Sequence, residues 1–230
     1  MPRPLRILTA LAAIPLIIAI VTWRLSWLAP SWYRPAPAGD AAAGQLGDLV
    51  EQRLVEEAHT IRATPEPWGL RVREEQINAW LATRLPKWIA HEKNLDWPET
   101  LGTPQVRLRT TGIEFAIPVG ANASTGGGRV AVVMLELAMT DSMLSVKATG
   151  FALGRIGLWG SPLERARDLA AGSALADVQV FETTVAELLS ATATVEPAFQ
   201  LADGRRVRLI DVQCGTGSLD LTFITEPPNR

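Results

Sequence analysis

Ile113-Glu114-Phe115-Ala116-Ile117, Leu135-Glu136-Leu137-Ala138 and Leu144-Ser145-Val146-Lys147-Ala148 decide how the chain folds. In each run apolar side chains return at every second position, the period of a half-buried β-strand. The pattern extends outward in both directions. Val106 and Leu108 stand before it, residues 130–138 are apolar almost throughout, and Phe151 continues the third run. Turn signals at Thr110-Thr111-Gly112, at residues 122–128 and at Thr140-Asp141-Ser142 separate the runs, so an antiparallel meander is expected.

Upstream, Trp68-Gly69-Leu70-Arg71-Val72 reads as a short strand feeding a helix over residues 74–85. Glu74 and Glu75 suit the positive end of that helix. Ile77, Trp80, Leu81 and Leu85 form its buried stripe and Pro86 stops it, leaving Trp88 and Trp97 in a less regular stretch. Before this lies a Pro, Ala and Gly linker, residues 34–44. It is followed by an amphipathic helix over 46–61 with Leu46, Leu49, Val50, Leu54, Ala58 and Ile61 on one side and Glu51, Arg53, Glu56 and Glu57 on the other.

Downstream, residues 161–189 read as helical, with Leu163, Ala166 and Leu169 in one piece and Val185, Leu188 and Leu189 in another. A hairpin then pairs 195–201 with 207–212 about Asp203-Gly204, and Gly215-Thr216-Gly217 leads to a last strand over 218–225. The expected class is α+β: a twisted antiparallel sheet, meander plus C-terminal hairpin, covered by the helices at 77–85 and 163–189.

The N-terminus adds another element. Residues 7–23 hold no charge, and the apolar stretch reaches 29 if Arg24 snorkels, which is long enough for a transmembrane helix through a lipid bilayer. Arg3 and Arg6 precede it and the first acid is Asp40, placing the N-terminus in the cytoplasm and the rest in an extracytoplasmic, periplasmic-type space. Trp23, Trp27, Trp32 and Tyr33 at the exit suit the membrane interface. A cleaved signal peptide, cut after Ala36-Pro37-Ala38, is the alternative, and it exports the same domain. The organisation is therefore 1–34, stub and span; 35–68, linker and amphipathic helix; 69–230, the exported α+β domain.

Residues 1–34 contain four of the 22 basic side chains and none of the 24 acidic ones, so the remainder carries a formal charge of −6. No basic stripe is left to bind nucleic acid. Cys214 is the single cysteine, which excludes an intrachain disulfide, and His59 and His91 are the two histidines, too few and too far apart for a metal centre. No Gly-x-Ser-x-Gly elbow accompanies them, and Glu56-Glu57 and Glu74-Glu75 read as solvated helix positions, so catalysis ranks last and no cofactor is implied. Gly126-Gly127-Gly128-Arg129 lacks the Lys and Ser/Thr of a phosphate loop and reads as a turn.

Strand, Glu-Glu-Gln-Ile-Asn-Ala-Trp-Leu helix with Asn78 near its middle, meander, then Gly154-Arg155-Ile156-Gly157-Leu158-Trp159: this order resembles small membrane-anchored bacterial proteins of the tubular lipid-binding (TULIP-like) kind. It is similar also to proteins of planctomycete-type bacteria. The resemblance covers residues 69–190. It implies a long curved sheet wrapped around a helix, with an apolar groove for acyl chains, although Arg73 stands where such proteins usually have a Ser or Thr cap.

Trp80, Trp88, Phe115, Met134, Phe151 and Trp159 are the candidate residues of such a groove, because aromatic and Met side chains line adaptable apolar sites. A filled core produces the same pattern. Two functions follow as expectations: an envelope protein that binds a lipid or other apolar ligand, or a scaffold whose helix over 46–61 pairs with a partner or with a second copy.

Overall fold

The computed structural model describes residues 3–37, 39–61, 66–93, 96–158 and 193–228, and for residues 3–13 the backbone alone. Among them are four α-helices: α1 (Arg3–Trp27), α2 (Ala41–His59), α3 (Glu74–Thr83) and α4 (Leu85–Lys93). The strands are β1 (Pro67–Arg73), β2 (Gln105–Arg109), β3 (Gly112–Val119), β4 (Arg129–Thr140), β5 (Met143–Leu153), β6 (Ile156–Leu158), β7 (Ala193–Val195), β8 (Ala198–Gln200), β9 (Arg206–Gly215) and β10 (Ser218–Glu226).

All pairings between these strands are antiparallel, and they form two sheets rather than the single one expected. One runs β1-β10-β9-β8 and the other β2-β3-β4-β5-β6, with β7 on β5. The meander stands where the alternation put it; of the hairpin, Ala198–Gln200 pairs with β9, whereas Val195 lies on β7 and pairs with Leu144 of β5 in the other sheet. What divides meander from hairpin is β1, which pairs with the last strand, Trp68 opposite Phe223, and so gives the hairpin a sheet of its own. Local alternation carries no information about a partner 155 residues away along the chain. Register shifts at Met134/Leu135 and Thr222/Phe223 curl the two sheets.

The first sheet buries Trp68, Leu70 and Val72 on one face with Val207, Leu209 and Phe223, and Ala58 of α2 and Ile77 of α3 close over them. Trp68 stacks on Phe223 with ring centroids 4.7 Å apart, while its Nε1–H donates to Thr225 Oγ1 at 3.0 Å, so the indole is buried without an orphan donor. In the second sheet Ala116, Val132 and Ala152 lie in register across β3, β4 and β5, and Ala29, Trp32 and Tyr33 cover them.

The seam between the sheets runs along β2, an edge strand whose outward backbone groups would otherwise go unpaired. Asn78 answers them as another strand would. Its Nδ2 donates to Val106 O at 2.9 Å and its Oδ1 accepts from Val106 N at 2.7 Å. One helical turn earlier, Glu74 Oε2 accepts from Leu108 N at 2.7 Å. The spacing of four residues places both side chains on one helix face. Leu108 O in turn accepts from Gly217 N in the β9–β10 turn, and Gly217 O accepts from Glu74 N, so helix, edge strand and second sheet meet at one point.

Three local expectations change. Helix α2 begins at Ala41, not 46, because Asp40 caps it by accepting from Ala42 N and Ala43 N, and three successive alanines then favour helix over linker. Helix α3 ends at Thr83, and Pro86 sits in the first turn of α4, where its missing N–H costs nothing; Trp88 is thus helical. Gly47 lets α2 approach α3 closely, since a Cβ there would lie 3.0 Å from Thr83 Oγ1. The expected helices at 161–189 lie outside the described residues. Among the described residues no helix is long and apolar enough to cross a membrane.

Candidate functional site

The end of α1 is built into the domain. Gly154, at φ +60° in the β5–β6 turn, lies so close beneath the helix that a Cβ would stand 2.5 Å from Ser26 O and 2.6 Å from Leu25 O. Only glycine fits there at ordinary cost. Arg155 N donates to Leu25 O at 3.1 Å and Arg155 Nε to Ala29 O at 3.0 Å, filling carbonyls that the helix end leaves open.

The segment after the helix is drawn onto the sheet. Tyr33 Oη donates to Thr103 O at 2.7 Å, Arg34 N donates to Gln105 Oε1 at 2.6 Å, and the Trp32 ring lies 4.9 Å from the Arg107 guanidinium. Arg107 is itself paired with Glu114, which also meets Arg109 at 3.4 Å. Burial pushes the Tyr33 hydroxyl well above the usual phenol range.

The four aromatic residues expected at an interface therefore divide. Trp32 and Tyr33 are half-buried against Ala116, Val132 and Ala152, whereas Trp23 and Trp27 are 59% and 49% exposed, with centroids 6.1 Å apart. The guanidinium of Arg129, the first residue of β4, lies 4.5 Å from both exposed rings. Trp23, Arg24, Trp27 and Leu28 line an open groove of about 460 Å³ beside it. Together these residues form a collar: apolar helix on one side, domain on the other, two indoles and two arginines between. The sequence hint to Arg129 was its place directly after three glycines, where a strand begins and a side chain can be aimed.

The candidate groove residues are not gathered. Phe115 and Phe151 flank Val133 across β3, β4 and β5, but Met134 points to the opposite face, next to Gly150. Trp80 lies between α2 and α3, where its Nε1–H donates to Glu51 Oε1 at 2.7 Å. Trp88 is 49% exposed on α4, and Trp159 lies outside the described residues. Neither of the two described cavities is lined by any of the six. The second, also about 460 Å³, lies between Phe199, Arg206 and Pro228 at the edge of the first sheet.

Among the described residues no group of His, Cys, Asp and Glu is arranged to hold a metal ion. His59 Nδ1 faces Val55 O at 2.9 Å within its own helix, His91 is exposed, and burial pushes the Cys214 thiol up, away from thiolate chemistry. No protein family matches the chain, and neither a curated protein nor a solved structure is similar to it.

Proposed function

We propose that the chain is a non-enzymatic, single-span envelope protein, N-terminus in the cytoplasm, whose exported domain meets lipid at the collar rather than in a groove between sheet and helix. The observation that carries this is the exposure of α1. Ile14, Leu16, Ile17, Ile18, Ile20 and Val21 are each 49 to 61% exposed, on a helix whose far end is fastened to the domain by Gly154, Arg155 and Tyr33. At about 1.5 kcal/mol or more for each aliphatic side chain removed from water, six such residues favour an apolar surrounding by roughly 10 kcal/mol. In the sequence the uncharged run over residues 7–23 continues this apolar character toward the N-terminus, over residues whose side chains lie outside those described.

The fastening also sets the geometry. A domain joined directly to the end of its helix stays at the headgroup layer instead of sampling the space beyond it. Extraction of membranes carrying the full chain with alkaline carbonate tests the reading: the protein stays in the pellet if α1 is integral. Release into the supernatant would overturn it.

A scaffold role is the second reading, favoured by Leu49 and Val55, 56% and 55% exposed on α2. Light scattering of the detergent-solubilised chain decides between them. A dimer that Leu49→Lys converts to monomer would support the scaffold.

A further inference from the structure

We propose that Arg129, held against the indoles of Trp23 and Trp27, and Arg24, which lines the groove with them, bind the phosphate of an anionic phospholipid headgroup in the leaflet that faces the domain. This rests on the membrane-anchored reading above and adds to it a lipid class and the residues that select it.

Three features point to this occupant. First, the two guanidinium groups have no carboxylate partner among the described residues, a condition they share with Arg34, Arg53 and Arg155, whereas the arginines of β1, β2 and β9 are paired. Second, the Arg129 guanidinium carbon lies 4.5 Å from the centroids of both indoles, which holds the cation beside the apolar helix, and its N–H groups, whose fork matches phosphate oxygens, have no carboxylate partner among the described residues. Third, the groove is amphiphilic: Trp23, Trp27 and Leu28 line it together with Arg24, and two of these residues, Trp23 and Trp27, are the rings beside Arg129.

A diffuse attraction would not suffice. Beyond residue 34 the chain carries a formal charge of −6, so an anionic leaflet repels the domain as a whole. The collar reverses that sign only at contact, which makes it a site rather than a field. The fastening of Gly154 and Arg155 to the helix end keeps β4, and with it Arg129, at the depth of the exposed indoles.

The test uses the full chain in nanodiscs of equal parts phosphatidylcholine and phosphatidylglycerol, released into detergent, with retained lipids counted by native mass spectrometry. Phosphatidylglycerol is expected to be enriched, and Arg24→Gln and Arg129→Gln each to lower the enrichment about fivefold, the worth of one cation at a charged surface. Arg129→Lys, which keeps the charge but loses the fork, should fall between the parent chain and Arg129→Gln, and Arg53→Gln on α2 should retain all of the enrichment. Melting temperatures equal to that of the parent chain separate lost binding from lost folding.

Equal retention of both lipids, enrichment that survives both glutamine variants, or displacement by inorganic phosphate would each overturn the proposal. Failure of the chain to float with vesicles of phosphatidylcholine alone is a different result: it would defeat the anchored reading, and this proposal with it.

Discussion

The α3–β2 seam and the α1 collar are both places where a helix meets the margin of a sheet, and they are finished in opposite ways. At the seam every outward polar group of β2 named above finds a partner within the chain: Val106 N and O on Asn78, Leu108 N on Glu74, Leu108 O on Gly217. At the collar the helix is fastened just as firmly on its domain side, but its apolar residues and two tryptophans stay exposed and, among the described residues, two arginines go without a carboxylate. The seam is closed against any partner, while the collar is finished for a surrounding that the chain does not supply. On the reading proposed above, the difference separates residues that hold the fold from residues that meet the membrane.

The largest expected effect breaks the seam. Asn78→Leu keeps the volume but orphans a buried N–H and a buried carbonyl, costing about 2–4 kcal/mol at about 1–2 for each. For a domain of this size that lowers the melting temperature by roughly 10 °C, readable by circular dichroism, with no change in membrane association. A loss of less than half that size would mean that water takes over the edge of β2 and that the seam is not closed.

Next is the fastening of the collar. Gly154→Ala places a Cβ against two carbonyl oxygens at a positive φ, with an expected cost of about 1–3 kcal/mol. Its signature is local: limited proteolysis at residues 35–40 should accelerate while the core stays protected. Uniform destabilisation would show that α1 and the sheet are less separable than described.

Smaller still is Tyr33. Its pKa is raised in the folded state, so its contribution is fully present below about pH 10, the value of a free phenol, and is lost as pH rises toward the folded value. Tyr33→Phe should cost about 1 kcal/mol at neutral pH through the lost bond to Thr103 O, and should remove this alkaline loss. Smallest is Asp220, held below the usual carboxylate range by the hydrogen bond from Arg71. This exposed pair adds stability above about pH 3.9 that disappears as pH falls through the folded value. Asp220→Asn should leave the neutral melting temperature nearly unchanged and flatten only the acid limb.

How much of this was legible follows the same division. The meander and most of the hairpin were readable because each is a local period of two residues, while the stripe on α3 was readable only in part: Ile77 packs on the core of the first sheet, but the buried residue of α3 is Ala79 and Leu85 belongs to α4. The pairing of β1 with β10 was not, nor the role of Asn78, because both depend on which distant backbone lies alongside. Asn78 was visible as part of a short motif, yet nothing in the motif says that its amide replaces a strand. The start of α2 was missed because a capping aspartate outweighed a composition that looks like a linker.

The collar was half legible. Of the four aromatic residues expected at an interface, Trp23 and Trp27 are exposed, but Trp32 and Tyr33, a few residues on, pack on the domain, and spacing alone does not separate them. Arg129 lies more than a hundred residues from the tryptophans it covers and was readable only as the end of a glycine turn. Of the six residues expected at a ligand groove, the five among the described residues share a composition and not a place.

Site-specific labelling tests the central claim most directly. On a Cys214→Ser background, Ile18→Cys on α1 and Lys147→Cys on β5 are each reconstituted in phospholipid vesicles and exposed to a membrane-impermeant maleimide, with detergent-dissolved samples as reference. Both positions are exposed on the protein itself. The expected result is full labelling at 147 with the vesicles intact and labelling at 18 only after they are dissolved. Equal labelling at both positions in intact vesicles would contradict the account.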